Sequence, residues 1–266
     1  MVAHFIILSS DYCEGTRIGL HYVLKGDASD VPVIKSMTET VGNAFDGKPV
    51  SFSTHMVQTD AADWTSVPAK DHYFSTVWII DDLQKFVGII RSNREFKGID
   101  VAAYLASQSP YTHTRLEKLA YYCYANYLCT TGKRLFADSI YAFAHGPVVG
   151  SVYDTLKEYS KGTGGVLLKF DQQAPDRDDD KPVKVKFKPI EIRSKLRFAE
   201  DGSEKVDFID KTVVRYERYS TADLVEMTHQ PDTPWSKAYT GENYRPISDG
   251  CILRWHINET ALKGRT

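Results

Sequence analysis

The sequence predicts an α+β protein. A small α/β N-terminal domain over residues 1–93 is followed by a mostly α-helical domain over residues 98–262, which carries a short β-hairpin insertion. Three observations predict this. At 266 residues the chain exceeds the usual size of one domain and favours two. Residues 1–93 alternate short β-branched or aromatic runs with stretches of helical spacing. Beyond Gly98, apolar residues recur mainly at three-to-four spacing, broken by an acidic segment and one alternating Val/Lys run.

Composition narrows the class. Apolar content of 42% with 26% charged residues describes a soluble chain with material for a core. A net charge of −2 leaves no basic footprint, so nucleic acid is not an expected partner. Cys13, Cys123, Cys129 and Cys251 are scattered, with no Cys-x-x-Cys pair, which suits free thiols in a reducing cytosol. The apolar run Phe5 to Leu8 lacks a basic flank, and no stretch approaches the roughly 20 apolar residues of a membrane span. A cytoplasmic protein with no membrane contact is expected.

In the N-terminal domain His4–Leu8 reads as a buried strand. Val33–Phe45 reads as a helix, with Ile34, Met37, Val41 and Phe45 in register and Asp46-Gly47 as its stop. Val50–Val57 alternates in part, and Tyr73–Ile80 is the strongest strand signal in the chain. Asp81-Asp82 caps a helix carrying Leu83, Phe86, Val87 and Ile90. Nothing in this domain specifies a chemistry.

The second domain opens with a helix from Gly98 that ends at the Ser109-Pro110 turn. Thr114 and Glu117 have capping-box spacing. Leu116, Leu119, Ala120, Cys123, Tyr127 and Leu128 then mark one buried face, and Gly132 suits a left-handed stop. His145-Gly146-Pro147-Val148-Val149 is expected to open another helix, with Pro147 near its start and Val149, Val152, Tyr153 and Leu156 as its stripe. Gly162 to Gly165 breaks that helix. Asp171–Pro182 reads as a solvated acidic loop between two candidate hairpin strands, Val166–Phe170 and Val183–Lys188. Lys205–Arg218 is helical again. Ser220 with Asp223, Thr233-Pro234 and Ser248 then start three more helices, and Trp235 is expected to be buried.

Candidate chemistry is sparse. His145 and His229 invite a catalytic reading, but the chain has no Gly-x-Ser-x-Gly, no His-Glu-x-x-His and no glycine-rich phosphate loop. A structural role, with each ring N–H donated to a backbone carbonyl, is the stronger reading. Two histidines do not make a zinc site, and the acidic run lacks the Gly and final Glu of a calcium loop. No metal and no cofactor are expected. Tyr121, Tyr122, Tyr124 and Tyr127 cannot all face one core, so some are expected at a groove, an interface or a joint with the first domain.

Three segments carry a family resemblance. Arg115–Tyr122 is similar to the KLQKLLYYAQ helix of SocA-like antitoxin domains, also called Panacea domains. Leu135-Phe136 with Tyr141–Tyr153 resembles their LF…EAWKHGPVVPSVY segment, and Ser220–Trp235 resembles their LS…L..LTH…SPW segment. The order is kept, over about residues 98–258. Phe143 replaces the usual Trp, and Gly150 a frequent Pro.

The resemblance implies a binder rather than a catalyst: the antitoxin of a type II toxin–antitoxin pair, neutralising a protein toxin encoded by a neighbouring gene. Tyr121, Tyr122, His145, Gly146, Pro147, Val148, Tyr153, Thr228, His229, Pro234 and Trp235 are the motif residues it picks out for shaping the domain and its groove. It also leaves room for a proteolytic adaptor that hands a toxin to a cellular protease, and for self-association. A hydrolase using His145 and His229 is the alternative from another class.

Overall fold

A computed structural model describes residues 1–11, 15–45, 50–160, 168–170, 183–185 and 189–263. The chain divides into two compact units, Met1–Glu95 and Phe96–Thr266, and is α+β as expected. Among the described residues no helix is long and apolar enough to cross a membrane.

The first unit runs β1 (Val2–Asp11), β2 (Thr16–Val23), α1 (Asp30–Asn43), β3 (Ser53–Thr59), α2 (Ser66–Lys70), β4 (Val77–Ile80) and α3 (Leu83–Arg94). Its four-stranded sheet has the order β3-β1-β2-β4, with β2 and β4 parallel and the other pairs antiparallel. β1 is central and both of its faces are covered. Phe5 and Ile7 pack with Val41, Phe86 and Ile90, while Ile6 and Leu8 pack with Val67, Phe74 and Val77. A strand buried on two faces reads as a continuous apolar run, and this is the pattern of Phe5 to Leu8.

Several boundaries differ from the sequence reading. The long strand expected at Tyr73–Ile80 is confined to β4. A 3-10 turn at His72–Phe74 takes the first part, because the Asp71 side chain accepts from Tyr73 N–H and turns the chain. β3 starts at Ser53, not Val50, and α1 starts at Asp30, whose carboxylate accepts from Lys25 and Gly26 N–H. β2 and α2 had no expectation. Gly19 blunts the β2 signal for a steric reason: a Cβ there would lie 2.8 Å from Val77 Cγ1. The Asp46-Gly47 stop and Cys13 lie outside the described residues.

His4 is fully buried within this sheet. Its Nδ1 lies 2.8 Å from His21 Nε2, and its Nε2 lies 2.7 Å from Thr59 Oγ1. Burial, and then the His4 ring, push the His21 pKa down, which favours the neutral His21 imidazole.

The second unit runs α4 (Gly98–Gln108), α5 (His113–Thr131), β5 (Ile140–Phe143), β6 (Gly146–Val149), α6 (Gly150–Ser160), β7 (Leu168–Phe170), β8 (Val183–Val185), α7 (Pro189–Phe198), α8 (Gly202–Tyr216), α9 (Thr221–His229), α10 (Pro234–Ala238), β9 (Arg245–Ile247) and α11 (Asp249–Lys263). α5 is its hub, touched by α4, α6, α8, α9, α11 and β6. Every residue from Leu116 to Ala125 is buried, as are Tyr127 and Leu128. None of the four tyrosines is exposed, although Tyr121 and Tyr122 line a cleft, as the groove expectation allowed. Neighbours on all sides give each one a partner: Tyr122 stacks on Tyr216 at 4.3 Å, Tyr124 donates to Asp249 Oδ1 at 2.7 Å, and Tyr127 meets Phe208 edge-on.

Thr112, not Thr114, is the N-cap of α5, accepting from Arg115 N–H. Gly132 closes α5 at φ 70°, and the Ser220–Asp223 capping box starts α9 as expected. The His-Gly-Pro segment does not open a helix. Gly146–Val149 is an edge strand paired antiparallel with β5 in the sheet β6-β5-β9, where a proline costs little, and helix begins only at Gly150.

β7 and β8 pair as an antiparallel hairpin, with Val183 buried. The loop at Asp171–Pro182, the break at Gly162–Gly165 and the residues 186–188 lie outside the described residues. The unexpected helix α7 is tied to α4 by an ion pair of 2.6 Å between Lys195 and Asp100, both buried. Burial holds the Asp100 carboxyl above its ordinary pKa despite the Lys195 charge.

Candidate partner-binding site

Two adjacent charged residues of α5 hold the β5–β6 hairpin. Glu117 Oε2 accepts from Val149 N–H at 2.9 Å, and Lys118 Nζ donates to the Pro147 carbonyl at 2.7 Å. Their side chains are almost fully buried, at 2% and 1% exposure. Burial lowers the Lys118 pKa to about 8, with the Glu117 charge pulling the other way. His113 Nε2 stands 3.5 Å from the second Glu117 oxygen. The strand comes in so close that Gly146, at φ 104°, has no room for a Cβ. One built there would lie 2.7 Å from Thr228 Oγ1 and 2.9 Å from Lys118 Cε.

The C-terminal end of α9 completes the arrangement. Thr233 Oγ1 donates to the Thr228 carbonyl at 2.8 Å and caps α10 by accepting from Ser236 N–H. That places Trp235 so that its Nε1 donates to the Phe143 carbonyl at 2.7 Å. His229 stacks flat on Trp235 at 3.8 Å, and Tyr239 stacks on Trp235 as well. On the other side of the hairpin Phe143 packs on Tyr153 at 4.3 Å. There Tyr244, half exposed and at φ 62°, meets both rings and donates to Asp154 Oδ1. His145 is exposed at the hairpin turn.

The expected residues therefore fall into two connected groups. His145, Gly146, Pro147, Val148, Tyr153, His229 and Trp235 gather on and around the hairpin. Tyr121, Tyr122, Thr228 and Pro234 line a cleft of about 370 Å³, with Met227, Trp255 and His256 among its other walls. Thr228 belongs to both. A more open groove of about 750 Å³ lies in the first unit, lined by α1 and α3 residues such as Lys35, Glu39 and Arg91.

Three expectations need correction. Among the described residues neither His145 nor His229 donates to a backbone carbonyl; the His229 Nε2 is buried with no hydrogen bond, and its ring is held by the Trp235 stack instead. Trp235 is only half buried, with the His229 and Tyr239 rings stacked on it. Glu117 does not serve a capping box but reaches across to β6. Sequence reasoning also passed over Glu117 and Lys118 as site residues, although the stretch Leu116–Leu128 contains few other polar side chains.

Burial, and then the positive charges of Lys118 and His145, push the His229 pKa below its ordinary 6.5. The folded protein thus binds a proton here less readily than the unfolded chain. Stability is intact above about pH 6.5 and falls as pH drops through that value. The thermal midpoint of the second unit is expected to fall between pH 7.5 and 5.5, and His229→Gln should make that fall shallower. An identical pH slope in the variant would remove His229 as its source.

The clamp, the hairpin and the His229–Trp235 stack all lie in one continuous stretch. Residues 116–236 match the family model for antitoxin SocA-like, Panacea domain. The matched Panacea segment runs from Leu116 in α5 to Ser236 in α10, a narrower span than the sequence resemblance suggested. No curated protein and no solved structure matches the chain. Within the Panacea segment the matched residues include both members of the buried Glu117–Lys118 clamp and the glycine they crowd.

Proposed function

We propose that this chain is the antitoxin of a type II toxin–antitoxin system and neutralises a cognate protein toxin in the cytoplasm by direct binding. The Panacea match carries the reading. The geometry supports a binder because the polar groups of the clamp and of the α9–α10 corner are spent inside the fold. Glu117, Lys118, Thr233 and the Trp235 indole each bond to backbone, and Thr228 donates to Val225 O. What faces outward is a half-exposed aromatic surface with a cleft beside it, a composition favoured at protein interfaces. A specific interface would bury about 1,200–2,000 Å². The first unit is the candidate for partner choice, since the Panacea segment lies wholly outside it.

The test is to express the neighbouring gene alone and together with this chain. The expected result is growth arrest by the neighbour, rescue by this chain, and co-purification of the two. A harmless neighbour, or rescue without binding, overturns the proposal. Toxin half-life in the same cells separates occlusion, which leaves it unchanged, from delivery to a protease, which shortens it.

A further inference from the structure

β3 is an edge strand of a kind that folded proteins usually guard. It pairs with β1 on one side only, and among the described residues no backbone hydrogen bond reaches its outer side. Guarded edges carry Lys, Pro or a bulge, or are very short. β3 has seven residues, Ser-Thr-His-Met-Val-Gln-Thr, with no charge and no proline. Its register with β1 runs without a break from Val2↔Thr59 to Leu8↔Ser53, so there is no bulge. The opposite edge of the sheet, β4, has only four residues. In the second unit the edge strand β6 contains Pro147, and β9 has three residues.

The side chains along this edge are arranged symmetrically. Met56 is at the middle and is 61% exposed. Thr54 and Gln58 flank it on the same face and are both exposed. An antiparallel copy turned about a two-fold axis at Met56 would set Met56 against Met56, Thr54 against Gln58 and His55 against Val57. Side chains keep their faces in that register, and no like charges meet. Two-fold pairing is also the commonest closed symmetry for one chain with itself.

We propose that a second copy of this chain pairs with the open edge of β3, antiparallel about a two-fold axis at Met56, joining two four-stranded sheets into one. The backbone ladder supplies the attraction, and the Met56 pair at the axis buries apolar surface that is otherwise wet. This is independent of the antitoxin reading, and its test needs no toxin.

The experiment measures the solution mass of the full chain by light scattering, with two double variants that differ only in charge sign. Thr54→Lys with Gln58→Lys places two lysines opposite each other across the axis. Thr54→Lys with Gln58→Glu places opposite charges there. Both pairs sit at the same exposed positions, so a loss of folding would affect both alike.

The expected result is twice the chain mass of 30.1 kDa for the natural protein. The Lys/Lys variant should give the single-chain mass, and the Lys/Glu variant the doubled mass. Met56→Cys should then cross-link two copies under mild oxidation, since opposed residues in antiparallel strands lie within disulfide reach. A natural chain that stays at single mass up to high concentration overturns the proposal. So does a Lys/Lys variant that remains double, or a Lys/Glu variant that falls to single mass.

Discussion

Glu117→Ala is expected to cost the second unit about 1–3 kcal/mol, the range for leaving a buried hydrogen-bonding group without its partner. The substitution removes three things at once. Val149 N–H loses its acceptor at 2.9 Å, the buried Lys118 ammonium loses the favourable charge of Glu117, and a cavity opens beside β6. Against the 5–15 kcal/mol typical of a whole domain, that is a large fraction.

Glu117→Gln should cost less, because an amide oxygen can still accept from Val149 N–H while only the charge is lost. Combining Glu117→Ala with Lys118→Met should cost less than the sum of the singles, since the second change removes the charge stranded by the first. Urea unfolding measures the totals, and hydrogen exchange at the Val149 amide reports the clamp itself. Additive losses, or an unchanged Val149 exchange rate in Glu117→Ala, would show that the two residues do not work together on the hairpin.

Gly146→Ala is the second large effect, expected at about 2–6 kcal/mol from two separate sources. A φ of 104° is a region side chains rarely adopt, which costs about 1–3 kcal/mol. The added methyl would stand 2.7 Å from Thr228 Oγ1 and 2.9 Å from Lys118 Cε, an overpacking cost of about 1–3 kcal/mol. The two can be separated. Thr228→Ala removes the closest atom, so Gly146→Ala should be less costly on that background, while the backbone part persists. If Thr228→Ala gives no relief, the close approach is not what selects glycine here. A Gly146→Ala protein of natural stability would mean that the hairpin is not held against α5 as described.

These two residues also show what the sequence could and could not reveal. Periodicity located α5, α6 and α8, because each is long enough for a repeat to stand out. Caps at Asp82, Ser220 and Thr233 were legible because the capping chemistry is local. The strands β5, β6 and β9 were not, since three or four residues carry too little alternation and β6 holds a proline. β2 was hidden by Gly19, whose presence answers a contact with Val77 from far along the chain. The full burial of the α5 tyrosines is not legible, because one helix read alone cannot disclose that six elements surround it. Glu117 and Lys118 look like an ordinary solvated pair for the same reason. The His-Gly-Pro motif could be recognised from its residues, but its work as a clamped edge strand depends on α5 and α9 arriving from either side.

The central position of α5 separates the matched segment from the unit that packs around it. The Panacea segment begins at Leu116, three residues into α5, and stops within α10. Cut out alone, it would lack α4 and α11, two of the elements that cover α5. It would also lose Asp249, the acceptor for the buried Tyr124 hydroxyl. The matched stretch is therefore mostly an interior, and two of the walls that close it in this chain lie outside the match.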